Sequence, residues 1–512
     1  MERHVPCCRL FASDGSAILT NMRRTARAAW ALVGLVACAE STPEHKASNE
    51  GDASVIGGDA SAGASGNGGA GGTSPLEAGV WPESGLPDVI DAGGASGSGG
   101  TGATGGSGGS GGCSPQCVGK QCGPDSCGAT CPPGCGPSQA CSAAGLCEDV
   151  CTDTWQSTAV DAIHAVAVDP GGRVYAAGEE GTLGWVGAFS TCNGTLEDSA
   201  NFTTANATKI AGNKIAVSGA SLFVTGYLES ASDPRNGMWA KLAKSTLAVS
   251  FTQGLYGGTE SDEVWDFVVT PSNNLWMAGV SHLPDDPHFW GIKGTTSGAA
   301  CGFPVVSSAA QGRIALGSGA DVYLIGMASN QMVIKRYDDA ACSSSGPCPC
   351  TPSWESSPIS IGSVVTEPRG AFLSGTSLYV AGFASDLAGV QYFGFVSRID
   401  LTNGNVMGAF TWDPTNLGDG FLAMDSDGQR LYVVGLRGWD GGVDFASATA
   451  VVMALPFSLS GTTSPEWIAT PSSMDAARDV AVDTSVGGGV YVTRLGGVGG
   501  LVVRCTKSGD CP

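Results

Sequence analysis

Residues 151–512 repeat one short pattern with a period of about fifty residues. This period restricts the possible folds more than any other feature of the sequence. In each copy an aliphatic and aromatic run ends in glycine, and the six copies are VYAAG at 174–178, LFVTG at 222–226, LWMAG at 275–279, VYLIG at 322–326, LYVAG at 378–382 and LYVVG at 431–435. A seventh copy, VYVTR at 490–494, has Arg494 in place of the glycine. Runs rich in β-branched and aromatic residues are typical of strands. The repeat therefore predicts seven β units of equal design.

The residues around each copy provide the other strands of a four-stranded unit. AVAVD at 165–169 precedes the first copy across a Pro-Gly-Gly turn, and WVGAF at 185–189 follows it. A looser fourth strand often carries tryptophan, as at Trp354, Trp412 and Trp467. Because one such unit cannot bury both of its faces, the units must pack radially. The sequence predicts an all-β, seven-bladed β-propeller over 151–512, and the repeats resemble the bacterial propeller repeat VDxxGNVYVTG, a resemblance that implies a fold and no reaction.

The last repeat offers three strands, so its fourth is expected from the other end of the domain. Blade 4 contains Cys342, Cys348 and then CTPSW at 350–354, and this spacing is reproduced by Cys505 and Cys511 followed by CTDTW at 151–155. We expect 152–160 to form the outer strand of blade 7, because an unpaired edge would invite aggregation. The same match predicts a disulfide from Cys151 to Cys505 or Cys511. The alternative is a three-stranded blade with a local Cys505–Cys511 loop.

Residues 113–150 form a different segment, in which cysteine replaces the aliphatic residues of a hydrophobic core. Its eight cysteines are Cys113, Cys117, Cys122, Cys127, Cys131, Cys135, Cys141 and Cys147. Such a segment is expected to be held by disulfides. A zinc cluster is the alternative, although the segment contains no histidine. The run CVGKQCGPDSCG at 117–128 resembles a short Cys/Gly-rich module of exported proteins from myxobacteria and their relatives, for which the resemblance implies no activity.

The amino-terminal region has the features of an export signal. A basic stretch at 22–27 leads into ten apolar residues at 28–37, too few to span a bilayer. The run ends in LVAC at 35–38, which resembles the lipobox of bacterial lipoproteins and implies cleavage before Cys38 and lipidation of its thiol. Within that resemblance, Ala39 favours the outer membrane. A plain secretory signal is the alternative.

These features divide the chain before the propeller into four parts. We interpret 1–21 as a mis-called start, 22–37 as the signal peptide, 38–112 as a disordered Gly/Ser-rich linker and 113–150 as the disulfide-rich module. No later run reaches the eighteen apolar residues of a membrane helix. A net charge of −22 disfavours nucleic acid as a partner. The expected location is the cell surface at the outer membrane.

Candidate site residues lie in the long loops between second and third strands of blades 3 and 6. These residues are His282, Asp285, Asp286, His288 and Trp290 in blade 3, and Arg437, Trp439 and Asp440 in blade 6. The blade 3 loop could bind zinc or calcium, or be a solvated loop with no ligand. His164, Trp265 and Arg478 precede the inner strands at matched positions and could ring the central channel.

The cofactor prediction is that none is bound, with a structural calcium ion left open. The turn DSDG at 425–428 faintly resembles a calcium loop, and a hairpin turn explains it as well. No residue is assigned a catalytic role. The sequence favours a surface binding or scaffold protein with a glycan or protein ligand, and the alternative is a hydrolase or lyase that acts on extracellular polysaccharide.

The lipobox yields a direct test. Replacement of Cys38 by alanine removes the thiol that would carry the lipid, so the Cys38→Ala protein should leave the membrane fraction for the soluble fraction. Sedimentation in detergent-free buffer measures this. A Cys38→Ala protein that still sediments with membranes would contradict the lipobox interpretation.

Overall fold

The computed structural model describes the cystine-rich module in part and the propeller almost completely. The chain divides into two compact units, 1–104 and 105–512, and every described residue belongs to the second. The described residues are 117–118, 120–123, 131, 134–135, 139–141, 145, 147–149, 151 and 153–512, the last without 170–171, 232–234, 255–260, 283–287, 297–299, 308–312, 318, 320, 343–349, 363–364, 386–390, 416, 441–446, 486 and 496–498. Residues 1–112, which include the predicted signal peptide, Cys38 and the predicted linker, lie outside them. Within the described residues, no helix has the length and apolar character required to span a membrane.

The module is a small hairpin held by disulfides. Strand β1 (Gln139–Cys141) pairs antiparallel with β2 (Cys147–Asp149). Three disulfides are present in the described residues: Cys117–Cys131, Cys122–Cys141 and Cys135–Cys147. Cys113 and Cys127 lie outside the described residues. The sulfurs of Cys122, Cys135 and Cys141 lie within 4.8 Å of one another, but all three are in disulfides and therefore offer no thiolate to a metal.

Seven antiparallel sheets of four strands each confirm the predicted all-β propeller. The blades, each given from its inner to its outer strand, are as follows: blade 1, β4 (Ala162–Asp169), β5 (Arg173–Glu180), β6 (Leu183–Ser190) and β7 (Leu196–Phe202); blade 2, β8 (Ala207–Ser218), β9 (Ser221–Ser230), β10 (Asn236–Ala243) and β11 (Val249–Gly254); blade 3, β12 (Ser261–Val269), β13 (Asn274–His282), β14 (His288–Thr295) and β15 (Ala300–Ser307); blade 4, β16 (Arg313–Leu316), β17 (Asp321–Ala328), β18 (Gln331–Asp338) and β19 (Trp354–Glu355); blade 5, β20 (Val365–Ser374), β21 (Ser377–Ser385), β22 (Tyr392–Asp400) and β23 (Val406–Trp412); blade 6, β24 (Gly418–Ser426), β25 (Arg430–Trp439), β26 (Thr449–Pro456) and β27 (Trp467–Ala469); blade 7, β28 (Ala477–Val482), β29 (Val490–Arg494), β30 (Leu501–Cys505) and β3 (Trp155–Thr158).

The hydrophobic core lies between neighbouring blades. Each repeat motif forms the second strand of its blade, and β21 is buried along its whole length. Such a strand is covered on both faces, which explains why its sequence is continuously apolar and not alternating. One cluster joins Tyr175 of blade 1 to Val224 and Met238 of blade 2. Radial packing therefore buries the apolar side chains that a single blade would expose to solvent.

The glycine that ends the repeat motif is required by a close backbone contact. A Cβ atom added at Gly178, Gly226, Gly279, Gly382 or Gly435 would lie 1.9–2.1 Å from a carbonyl oxygen of the inner strand. No real side chain tolerates that distance, so only glycine fits. The inner strand has a β-bulge at this level in all five blades. Each bulge inserts one extra residue without a partner on the second strand.

The ring is closed by the amino-terminal strand of the domain. Strand β3 pairs with β30 as the outer strand of blade 7, within the segment 152–160 expected there. The Trp155 indole nitrogen donates a hydrogen bond to the Thr191 carbonyl at 2.8 Å, and its ring packs against Phe189 and Tyr491. The buried Arg504 guanidinium donates to the carbonyls of Cys151 and Asp153.

The predicted disulfide from Cys151 to Cys505 or Cys511 is wrong. Cys151 pairs with Cys192, and Cys505 pairs with Cys511 as a local loop. The positions of the cysteines explain this pairing. Cys192 lies in the turn after β6, next to Thr191, whose carbonyl accepts the hydrogen bond from the Trp155 indole. This turn of blade 1 is therefore adjacent to the entering strand. The match to blade 4 also holds only in part. Cys342 pairs with Cys350 there, and Cys348 lies outside the described residues.

Loss of the Trp155 side chain should destabilise the ring. Trp155 is 7% exposed, and its truncation to alanine leaves a cavity between blades 7 and 1, for which we expect a loss of about 3–5 kcal/mol in the free energy of unfolding. The control is Ile468→Thr, at a position that is 47% exposed, which should change it by less than about 0.5 kcal/mol. Urea unfolding measures both. Equal effects of the two substitutions would show that β3 does not close the ring.

Candidate functional site

A channel runs through the centre of the propeller and forms a cavity. Its volume is about 1160 Å³, and it is lined by the inner strands of all seven blades. Aromatic side chains from blades 3, 5 and 6 contribute to the lining, namely Trp265, Phe383, Tyr392 and Trp439. Cavities of this size are typical of ligand sites.

In six of the seven blades, a β-bulge of the inner strand adds one extra residue to the lining of this channel. The extra residues of six bulges are His164, Asn213, Trp265, Arg369, Leu422 and Arg478, and all line the channel. Blade 4 contributes Arg313, the first residue of β16. We call these seven residues the channel ring. Three of them, His164, Trp265 and Arg478, were singled out from the sequence.

Arg478 links three blades through neutral partners. Its guanidinium donates to the Nδ1 atom of His164 at 2.6 Å and to the Oδ1 atom of Asn213 at 3.0 Å. Asn213 in turn donates to the Val264 carbonyl of blade 3 at 3.3 Å. Burial lowers the pKa of Arg478 to about 10, which still leaves the group charged at neutral pH.

His164 is fixed in one neutral form by this contact. A guanidinium can only donate, so Nδ1 must be the acceptor and the ring proton must lie on Nε2. Burial, followed by the charge of Arg478, holds the pKa of His164 well below its usual value. His164 is therefore a neutral hydrogen-bond donor through Nε2 at physiological pH.

Arg313 and Arg369 occupy adjacent blades on the other side of the ring. The Nε atom of Arg313 donates to the Arg369 carbonyl, and its guanidinium lies 5.5 Å from the Trp265 ring centroid. Arg369 pairs with Glu367 at 2.7 Å. Burial, then the charge of Arg369, lowers the pKa of Arg313 to about 10. The two arginines are thus neighbours in the channel lining, and their like charges repel each other.

Carboxylates also face the channel, around one lysine. Lys214 pairs with Asp479 at 2.7 Å, and Asp479 accepts from the backbone nitrogen of Val166 at 3.1 Å. Asp425 accepts from the backbone nitrogens of Ser426 and Val482, both at 2.8 Å. Burial raises the pKa of Asp425 to about 6. Electrostatic attraction from Asp479, Asp266 and Asp425 raises the pKa of Lys214 despite its burial.

The turn at 425–428 is a hairpin turn in the structure. Asp427 accepts from the backbone nitrogens of Gln429 and Arg430 and from the Tyr432 hydroxyl. Asp425 instead lines the channel. The carboxylates of Asp425 and Asp427 therefore lie in different places, and they do not form the shared set of oxygen ligands that calcium requires.

The predicted loop-face site is described only in part. His282 ends β13 and His288 begins β14, while Asp285 and Asp286 lie outside the described residues. Trp290 packs between blades, against the backbone of Gly279. The blade 3 site stays a prediction.

The blade 6 candidates lie at the end of β25 and beyond it. Arg437 pairs with Thr449 in the sheet, and Asp440 is exposed. Trp439 packs near Tyr392 with the two rings tilted and 5.9 Å between their centroids, and both line the channel. Trp439 thus joins the channel rather than a separate loop surface.

Comparisons with known proteins find distant structural similarity. No protein-family model and no curated protein matches the chain. Among solved structures, a quinohemoprotein alcohol dehydrogenase from Pseudomonas putida HK5 is 10% identical with a TM-score of 0.38, over 68% of this chain and 67% of that one. A putative 6-phosphogluconolactonase from Bacteroides fragilis is 15% identical with a TM-score of 0.36, over 67% and 87%. A calcium-binding regucalcin from Agrobacterium tumefaciens is 12% identical with a TM-score of 0.33, over 55% and 84%.

The raised pKa of Asp425 predicts a pH dependence of stability. Its pKa of about 6 in the folded protein exceeds the value near 4 of an unfolded aspartate, so the folded state binds more protons in this window. Stability contributed by this group is present below about pH 4 and is lost as the pH rises through about 6. Asp425→Asn removes the titration.

The Tm of Asp425→Asn minus the Tm of the unchanged protein should therefore increase by a few degrees from pH 5 to pH 7.5. Calorimetry at both pH values measures this, and the other titrating groups cancel in the difference. Parallel Tm curves for the two proteins would show that Asp425 ionises freely in the channel.

Proposed function

We propose that this protein is an exported, lipid-anchored binding protein of the cell surface and that its ligand site is the channel ring. The signal, lipobox and linker patterns support export and anchoring. The disulfides of the module and propeller support an oxidising compartment.

The observation that carries the binding site is the variety of the channel ring. Seven repeats of one backbone design place seven side chains around a cavity of about 1160 Å³, and five different residue types occur among them. A purely structural position in a repeat would accept the same residue in each blade. Charged and aromatic groups that converge on one cavity are instead what a ligand site provides.

The chemistry of the ring favours binding over catalysis. A hydrolase or lyase needs a group that can take or give a proton near neutral pH. His164 has its Nδ1 atom occupied by Arg478 and a pKa held well below the usual value, so it serves as a hydrogen-bond donor. The arginines of the ring also only donate. Such groups hold and orient a ligand. Asp425 lines the same channel with a pKa raised to about 6, so an acid–base role for Asp425 is the enzymatic alternative that the product-release assay tests.

The test is retention on a glycan array, with product release assayed on the same glycans. The unchanged protein should be retained without shortening the glycan. Leu422→Trp fills the channel with a larger side chain and should reduce retention at least about tenfold. Leu196→Trp is the matched control, because Leu196 lies on outer strand β7 and is 39% exposed.

Each other outcome contradicts one part of the proposal. Release of shortened glycan would identify an enzyme. Unchanged retention of Leu422→Trp would place the ligand outside the channel, and retention of no glycan would contradict a glycan ligand.

A further inference from the structure

Three of the seven channel-ring residues are arginines, in a protein whose net charge is −22. Arg313, Arg369 and Arg478 come from blades 4, 5 and 7 and line the same cavity. Carboxylates line the same cavity, and three of them form ion pairs: Glu367 with Arg369, Asp479 with Lys214 and Asp169 with Lys244. A partly buried cation attracts an anion more strongly than the same charge would in bulk water.

Arg478 makes its hydrogen bonds to neutral groups, and the carboxylates of Asp479 and Glu263 act on it as neighbouring charges. In the described part of the chain its two hydrogen-bond partners are the neutral His164 ring and the neutral Asn213 amide. Arg369, by contrast, is paired with Glu367. Arg478 is partly buried, and a bound anion that accepted hydrogen bonds from its guanidinium would lower the cost of holding the charge there.

The neighbours of Arg478 supply further hydrogen-bond donors to the channel. Because Arg478 occupies the Nδ1 atom of His164, the Nε2 atom carries the proton and can donate as well. The guanidinium of Arg313 lies on the opposite side of the ring, over Trp265. Donors from several blades thus surround one volume, which suits an acceptor with several oxygens and no proton of its own.

We propose that the channel ring binds the carboxylate of an acidic oligosaccharide, with Arg478 as its principal charged contact. This inference rests on the proposed function and names the ligand class of the same site. The aromatic side chains of Trp265, Tyr392 and Trp439 supply flat apolar faces for sugar rings along the channel. The volume of about 1160 Å³ accommodates several sugar units. A guanidinium matches the two oxygens of a carboxylate in geometry as well as in charge.

The experiment compares oligogalacturonate with its methyl ester, which retains the sugar and lacks the charge. Calorimetry on the full-length protein should show that the acid binds at least about tenfold more tightly than the ester. Arg478→Gln should weaken binding of the acid by about the same factor and leave binding of the ester unchanged. Raising the salt concentration should weaken binding of the acid and leave binding of the ester unchanged.

Two further variants separate recognition from folding. Arg478→Lys retains the charge and should recover part of the affinity for the acid, even where the cross-blade hydrogen bonds are changed. Arg173→Gln removes an arginine that pairs with Glu197 on the outer part of blade 1 and does not line the channel, so it should bind the acid normally. Tm values for all variants show whether each is folded.

Three results would overturn the inference. Equal affinities for acid and ester, or equal weakening of both by Arg478→Gln, would show that charge is not recognised. Competition by inorganic sulfate or phosphate at lower concentration than by galacturonate would assign the ring to a tetrahedral anion. Channel-dependent retention of neutral glycans alone would overturn this inference and leave the proposed function intact, whereas loss of all retention would remove both.

Discussion

The contact between the repeat glycine and a carbonyl oxygen of the inner strand is the constraint on which the structure depends. At Gly226, for example, an added Cβ atom would lie 2.0 Å from the Ala211 oxygen. The contact is possible because the inner strand bulges there, and the bulge turns one extra residue toward the axis. The same geometry therefore builds the blade and selects the residues of the channel. In blade 7, Arg494 occupies the glycine position opposite Ala477, and the bulge is retained.

Closure of the ring depends on a second set of contacts, between the two ends of the domain. Strand β3 covers the edge of β30, Trp155 fills the space beside blade 1, and Arg504 binds the backbone of the entering strand. The disulfide Cys151–Cys192 then ties the same segment to blade 1. Since the amino-terminal strand belongs to the last blade, the first and last repeats are joined by strand pairing and packing, and the disulfide fixes the entering segment to blade 1.

The sequence predicted the fold well and the site less well, and the difference has a physical reason. The repeat period and the pattern of strand and turn residues can be read directly along the sequence. They therefore predict the seven blades and the position of β3. The partner of Cys151 depends on which turn of blade 1 lies beside the entering strand, and cysteine spacing does not contain that information. Of the channel ring, His164, Trp265 and Arg478 were recognised. Asn213, Arg313, Arg369 and Leu422 were missed, although counting back from the repeat glycine to the inner strand would have found most of them. The loop-face residues of blade 3 remain a prediction.

Hydrogen exchange measured by mass spectrometry tests the closed ring most directly, because it follows the backbone of the unmodified protein. The amides of β3 (Trp155–Thr158) that pair with β30 (Leu501–Cys505) should exchange slowly, at rates close to those of β30 itself, since both are released only when blade 7 opens. Rapid exchange of β3 beside a protected β30 would contradict the account, because it would mean that the amino-terminal strand does not hold the ring together.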